Sequence, residues 1–77
     1  LLANVLGPDI RVNAVAPGLV DTPWTADWDE KRAQVVEMAP LRRSGQPQDI
    51  ADVCLLLAVS TYTTGQVVIA DGGLHLR

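Results

Sequence analysis

The sequence predicts an α/β fold in which one strand, a connection containing helices and a second strand follow the end of a helix. Three observations predict it. Two short runs, 10–16 and 66–70, are rich in β-branched residues and bounded by proline or glycine, as strands are. Between them, residues from Pro47 onward place apolar side chains at helical spacing. The composition, 48% hydrophobic and 19% charged, is that of a globular protein rather than of a disordered or fibrous one.

The first two elements follow from local signals. Residues 1–6 place Leu2, Val5 and Leu6 on one helical face, and we expect Gly7 to close this helix in the left-handed conformation before Pro8. A strand is predicted over 10–16. Because both of its faces are mostly apolar, we expect it to be covered on both sides, as in a parallel sheet.

The connection contains one irregular stretch and one clear helix. In the stretch 19–44, Pro23 can open a short helix, and 29–39 has the pattern of a helix with a charged outer face. The clear helix, predicted over 47–58, starts with Pro47 at the favoured first position and Asp49 in the first turn. Its apolar residues recur at helical spacing: Ile50, Val53, Cys54, Leu57 and Ala58.

The chain ends with a turn at 60–65 and a strand at 66–70, which the sequence Asp71-Gly72-Gly73 closes. Strands joined by a long crossover run parallel, and the crossover should be right-handed. Two such strands leave unpaired edges, so we expect 1–77 to be a single partial domain completed by strands from elsewhere. The start at Leu1, within an apolar pattern, agrees with that expectation.

Charge and composition argue against several classes of protein. The chain has six basic and nine acidic residues, which gives a net charge of −3, and it has no basic cluster. We therefore do not expect a nucleic-acid partner. No apolar run has transmembrane length and no basic signal-peptide start is present, so we expect no membrane association and a cytoplasmic location. The single cysteine, Cys54, is expected to be a buried thiol. No ligand pair has metal-binding spacing, and His75 is expected at the surface or a subunit contact, without a partner at a known spacing.

Three blocks of the sequence carry a resemblance to a known family. They are 11–23 (RVNAVAPGLVDTP), 40–51 (PLRRSGQPQDIA) and 64–73 (TGQVVIADGG). In this order and at this spacing they resemble the short-chain dehydrogenases/reductases over nearly the whole chain. The resemblance implies the C-terminal third of a doubly wound, Rossmann-like domain that binds NAD or NADP. It also implies a parent enzyme that transfers a hydride between this cofactor and a small carbonyl or alcohol substrate. In the closing motif of the family, Asp71-Gly72-Gly73 here, the resemblance implies that the aspartate binds nearby backbone.

The resemblance places cofactor contacts on Pro17, Gly18, Val20 and Thr22. It gives Val20 backbone contacts to the nicotinamide carboxamide, and the Thr22 hydroxyl a bond to the carboxamide or the pyrophosphate. Position supports this independently, since ligands of open parallel sheets lie beyond the carboxyl ends of the strands, where this turn falls. Gly18, which lacks a Cβ, would let the backbone pass close to a planar ring, and Pro17 would fix the entry angle.

The stretch 19–44 corresponds to the substrate flap of the family. There Trp24 and Trp28 either belong to the mobile flap or pack as helix core, and the sequence does not choose between these alternatives.

No catalytic residue can be assigned. In the family a tyrosine is the acid or base and a lysine follows four residues later, whereas Gln66 follows Tyr62 at that spacing and no tyrosine precedes Lys31. Ser44 and Ser60 do not match the catalytic serine. We therefore expect the 77 residues alone to be inactive. The alternative is a truncated remnant with a structural or oligomerisation role only. In either case the resemblance implies a homo-oligomer, dimer or tetramer, formed through the 47–58 helix and the 66–70 strand.

Overall fold

A computed structural model describes all 77 residues. It contains three α-helices, two strands and two short 3₁₀ helices. In chain order these are α1 (Leu2–Leu6), β1 (Ala14–Pro17), a 3₁₀ helix (Pro23–Thr25), α2 (Asp29–Met38), α3 (Pro47–Val59), β2 (Val67–Ala70) and a second 3₁₀ helix (Leu74–Leu76). None of these helices combines the length and the apolar character needed to cross a lipid bilayer.

The two strands pair in parallel, as predicted. Their register runs from Ala14 opposite Val67 to Pro17 opposite Ala70. Helix α3 packs against both strands and forms part of the connection between them. The α/β class and the strand–helix–strand order are therefore confirmed.

Strand β1 begins later than predicted, at Ala14 instead of residue 10. The residues before it pair with the turn that precedes β2: the Val12 amide donates to Thr64 Oγ1 at 3.0 Å, and the Gly65 amide donates to the Val12 carbonyl at 2.8 Å. The Asn13 side chain does the same, donating to the Thr63 carbonyl at 3.0 Å. Since a turn occupies these hydrogen-bonding groups, the ladder starts only after Asn13.

The end of α1 corrects a second expectation. Gly7 is extended, with φ −68° and ψ 153°, and not left-handed. The reason is Pro8, because a proline disfavours helical backbone at the residue before it. The Gly7 amide still closes the helix by donating to the Ala3 carbonyl at 3.1 Å.

The expected cover on both sheet faces is missing from these 77 residues. Only Thr25, Ala39 and Ser44 are buried. In α3 the residues Ile50, Val53 and Leu57 are half-buried, but Cys54 is exposed, so the prediction of a buried thiol is wrong. Helical spacing identifies an apolar face correctly, but it does not say whether another element covers it.

The chain end after β2 is fixed by one carboxylate, as expected for Asp71. It accepts hydrogen bonds from the amides of Gly73 and His75, both at 2.9 Å, and His75 Nδ1 lies 3.0 Å from Oδ1. His75 therefore has a partner four residues earlier, which corrects the expectation of none. Burial raises the pKa of Asp71, but the hydrogen bonds from His75 and Gly73 outweigh burial and leave it below its usual value.

Candidate functional site

The chain leaves β1 at the carboxyl edge of the sheet and stays extended. The Gly18 amide donates to the Ala70 carbonyl at 3.0 Å, which is the last bond of the ladder. Beyond it, Gly45 accepts from the Asp21 amide and donates to the Leu19 carbonyl, each at 2.8 Å. This short parallel bridge holds residues 19–21 beside the segment that leads into α3.

A cleft of about 820 Å³ opens next to this edge. All four residues predicted to contact the cofactor line it, and so does Trp28. Trp24 does not, and it is 84% exposed. The complete lining is Pro17, Gly18, Leu19, Val20, Thr22, Thr25, Trp28, Lys31, Gln34, Val35, Met38, Leu74 and Arg77.

Thr25 fixes the shape of the loop, and sequence reasoning missed it. Its buried hydroxyl donates to the Val20 carbonyl at 2.7 Å and accepts from the Thr22 amide at 3.1 Å. A threonine three residues after another hydroxyl residue, with proline between them, is a signal of a helix start that could have identified this contact.

Val20 keeps one polar group free. Its carbonyl accepts the Thr25 hydroxyl, whereas its amide donates no hydrogen bond within the chain. Backbone donors in folded proteins are nearly always paired with protein, water or ligand. The oxygen of a carboxamide group can accept a hydrogen bond from the Val20 amide. The surface of the cleft beside it is mostly apolar, so a planar ring can pack there.

The geometry gives Gly18 a different role from the predicted one. A Cβ at this position would lie 2.6 Å from Asp71 Cβ and 2.9 Å from Asp71 Cα. The missing side chain therefore allows the turns after the two strands to approach each other. A side chain at this position would point toward Asp71, whereas the sequence analysis expected the missing side chain to make room for a ring.

Behind the loop lies a polar cluster around the Asp21 carboxylate, which the sequence analysis also missed. Arg32 Nε donates to Asp21 Oδ1 at 2.6 Å, the buried Ser44 hydroxyl donates at 2.9 Å, and Gln46 Nε2 donates to Oδ2 at 2.8 Å. The Arg32 guanidinium, followed by the Ser44 hydroxyl, holds the pKa of the Asp21 carboxyl below its usual value. These bonds connect the loop to α2 and to the start of α3.

The start of α3 carries a second ion pair. Arg43 approaches Asp49 with both terminal nitrogens, at 2.8 and 3.0 Å, and the same carboxylate accepts the Gln46 amide at 2.7 Å. Arg43 lowers the pKa of Asp49 to about 2, with the Gln46 amide as the next cause. This pair connects the segment before α3 to the first turn of that helix.

Helix α2 presents one face to the cleft. Lys31, Gln34, Val35 and Met38 recur at helical spacing and all line it. Lys31 Nζ lies 4.8 Å from the centroid of the Trp28 ring. Much of the predicted flap segment, 19–44, therefore borders the cleft.

The remaining residues considered for catalysis lie elsewhere or are otherwise engaged. Tyr62 is fully exposed and is not part of the cleft. The Ser60 hydroxyl lies 2.7 Å from that of Thr63 in the turn before β2. The cleft thus contains hydrogen-bond donors and cations but no tyrosine.

Comparison with known proteins gives consistent matches. A family model described as enoyl-(acyl carrier protein) reductase matches residues 1–75. The 3-oxoacyl-[acyl-carrier-protein] reductase of Thermotoga maritima is 51% identical over 74 residues, which is 92% of this chain and 30% of that protein. The carbonyl reductase family member 4 of Danio rerio is 46% identical over 76 residues, or 99% of this chain and 31% of that protein. The chain spans about a third of the length of the curated relatives it matches.

Solved structures agree. The 3-oxoacyl-[acyl-carrier protein] reductase of Brucella melitensis superposes with a TM-score of 0.89 at 45% identity, covering 99% of this chain and 30% of that one. A small-chain dehydrogenase in complex with NADPH gives a TM-score of 0.89 at 36% identity, covering 99% and 36%. The parallel strand pair is thus part of a Rossmann-type sheet, and the chain belongs to the short-chain dehydrogenase/reductase family.

Proposed function

We propose that these 77 residues form the nicotinamide side of the active site of an oxidoreductase. This enzyme uses NAD or NADP and transfers a hydride to or from a small carbonyl or alcohol substrate. One observation carries the proposal: the four residues 17, 18, 20 and 22 line a single cleft at the carboxyl edge of the sheet, beside an unpaired backbone donor. A related structure that holds NADPH supports the cofactor class.

The residues of this chain would bind the cofactor and orient its nicotinamide ring. The Val20 amide would donate to the carboxamide oxygen, and Thr25 would hold Val20 in place through its carbonyl. The Thr22 hydroxyl would bind the carboxamide or the pyrophosphate. The apolar residues of the cleft would exclude water from the reacting carbon. A bound nicotinamide dinucleotide would supply or accept the hydride.

Proton transfer needs a group that these residues do not place in the cleft, since Tyr62 lies outside it. We therefore infer that the 77 residues alone turn over no substrate. Two relatives are named as reductases of 3-oxoacyl or carbonyl compounds, so a 3-oxoacyl thioester is the first substrate to test. A cytoplasmic location remains part of this proposal.

A second candidate is a non-catalytic module that acts only in association with itself or with the rest of a sheet. One observation favours it: Leu55, Leu56 and Val59 on α3, together with Val67 and Ile69 on β2, are all exposed. An apolar surface of this extent is typical of a face that another copy or element covers.

A chimera separates the two candidates. In it, this chain replaces the matching segment of the Thermotoga maritima reductase, and NADPH-dependent reduction of acetoacetyl thioesters is measured by NADPH absorbance. We expect activity in the chimera and none in the 77 residues alone. Thr22→Val should raise the KM for NADPH about tenfold, as the loss of one hydrogen bond to a charged ligand predicts, while Thr22→Ser should preserve it. A folded chimera without activity would favour the non-catalytic module. Activity of the 77 residues alone would overturn the inference that they are inactive.

A further inference from the structure

One arginine joins helix α2 to the loop that follows β1. Arg32 Nε donates to Asp21 Oδ1 at 2.6 Å, and Arg32 Nη2 donates to the Thr25 carbonyl at 2.8 Å. The remaining nitrogen, Nη1, donates to Asp29 Oδ1 in the same helix at 3.2 Å. Every nitrogen of the guanidinium is therefore engaged, and its planar shape fixes the direction of each bond. Arg32 does not line the cleft, so these bonds hold the loop from outside it.

Helix α2 has no other side-chain bond to this loop. Among its side chains, only that of Arg32 forms hydrogen bonds with residues outside the helix. Arg32 and Val35 are also its only half-buried residues, and none is buried. Most of the stability of a helix in a protein comes from packing, and this helix has little of it. Arg32 is therefore the polar connection between the α2 wall of the cleft and the loop.

The two partners of Arg32 in the loop both adjoin Val20. Asp21 follows Val20 in the chain, and the Thr25 hydroxyl donates to the Val20 carbonyl at 2.7 Å. The Asp21 carboxylate has two further donors, at 2.9 and 2.8 Å, in the segment that leads into α3. Loss of the guanidinium would leave those two bonds in place and remove the bonds to α2. We therefore expect it to change the direction of the unpaired Val20 amide while the sheet stays intact.

We propose that Arg32 is a positioning residue for the nicotinamide: acting through Asp21 and Thr25, it fixes the direction of the Val20 amide and holds α2 at the cleft. This rests on the proposed function and goes beyond it, because it assigns the alignment of the ring to a residue outside the cleft. The side chains of Arg32 and Asp21 are only 25% and 30% exposed, so solvent screens this pair less than a fully exposed one. Arg32 is also the first cause of the lowered pKa of the Asp21 carboxyl, which keeps the pair ionised at neutral pH.

The test uses the complete enzyme of the proposed function and compares two ligands by calorimetric titration. They are NADPH and 2′-phospho-ADP-ribose, which is the same dinucleotide without nicotinamide; NADH and ADP-ribose replace them if the enzyme prefers NADH. We expect Arg32→Gln to raise the dissociation constant of NADPH about fivefold, as the loss of one aligned hydrogen bond predicts. The dissociation constant of 2′-phospho-ADP-ribose should change less than about twofold, because that ligand does not reach Val20. We expect kcat to fall roughly 10- to 100-fold, since misplacement of a reacting group by about 1 Å has an effect of this size.

Three variants separate positioning from a general effect on the fold. Arg42→Gln removes the same charge from an exposed arginine outside the cleft, whose one side-chain bond, to the Glu37 carbonyl, is 3.4 Å long, and it should change none of the measured values. Asp21→Asn removes the carboxylate that Arg32 holds and should act in the same direction as Arg32→Gln. Because the two residues act through one contact, the effects in the double variant should be less than additive. Arg32→Lys keeps the charge but not the planar pair of donors, so it should show the same selective loss of NADPH binding if Arg32→Gln does not fold.

Three results would overturn the proposal. The first is equal weakening of both ligands in the Arg32 variants, which would mean that Arg32 serves only the fold. The second is unchanged binding of both ligands with unchanged kcat. The third is fully additive effects of Asp21→Asn and Arg32→Gln, which would mean that Arg32 does not act through Asp21. Failure of the proposed function looks different, because the unmodified enzyme would then bind neither the dinucleotide nor its fragment without nicotinamide.

Discussion

Replacing Gly18 with alanine tests the role that the structure assigns to this glycine. The new methyl carbon would lie 2.6 Å from Asp71 Cβ and 2.9 Å from Asp71 Cα. Non-bonded carbons prefer about 3.5–4.0 Å, so the two turns would have to separate by roughly 1 Å. The flexible end of a side chain could give way at little cost, but here one of the two atoms belongs to the backbone.

The magnitude follows from two contributions. Over-packing of this kind destabilises by about 1–3 kcal/mol. Separation of the turns also strains the hydrogen bond from the Gly18 amide to the Ala70 carbonyl, now 3.0 Å long, and the loss of such a bond is worth about 1 kcal/mol. The sum is about 2–4 kcal/mol, which lowers the urea midpoint by roughly 1–2 M at a typical slope of about 2 kcal/mol/M.

Urea unfolding of the protein measures this, with Gly45→Ala as the matched control. A Cβ at Gly45 would meet its nearest atom, the Leu19 carbonyl oxygen, at 3.5 Å, which is ordinary contact. We expect the control to change the free energy of unfolding by less than about 0.5 kcal/mol. If Gly18→Ala is no more destabilising than the control but abolishes cofactor binding, the reasoning is refuted and the glycine serves the ligand.

Three further predictions concern other contacts. Thr25→Val should destabilise the protein by about 1–3 kcal/mol, because it leaves the Val20 carbonyl and the partly buried Thr22 amide without partners; Thr25→Ser should retain most of the stability in the same urea assay. Arg11→Gln should cost about 1 kcal/mol in thermal unfolding, since both terminal nitrogens bind the last carbonyls of α3 at 2.7 and 2.9 Å; an unchanged midpoint would contradict this. Asp49 has a pKa of about 2 against 3.8 when unpaired, so its contribution is present above about pH 4 and disappears as the pH falls through 2. Asp49→Asn should therefore flatten the acid side of the stability curve, whereas Asp27→Asn, which removes a carboxylate without an ion pair, should not.

The sequence was sufficient for features that depend on local pattern. Proline at a first helical position and apolar residues three and four apart define α3, and the observed bounds, Pro47–Val59, differ from the prediction by one residue. The parallel pairing followed from the long crossover alone. The family resemblance, together with the position of this turn at the carboxyl end of β1, selected Pro17, Gly18, Val20 and Thr22, and all four line one cleft.

Contacts between distant segments were not predictable from the same patterns. Ser44 meets Asp21 across 23 positions in the sequence, and nothing near either residue indicates the pair. Cys54 shows the converse, because it was recognised as part of an apolar helical face, but no element of these 77 residues covers it. Gly18 was predicted to make room for a ligand, whereas a side chain at this position would meet Asp71, and the direction of a missing side chain is known only from coordinates.

The backbone of Gly45 has a mechanical consequence for the site. Both of its polar groups are bonded to the segment that carries Val20, and Pro47, the first residue of α3, follows two positions later. The start of α3 and the unpaired Val20 amide are therefore connected through the backbone of Gly45. A tilt of α3 against the sheet would therefore change the direction of the Val20 amide, although no residue of α3 lines the cleft.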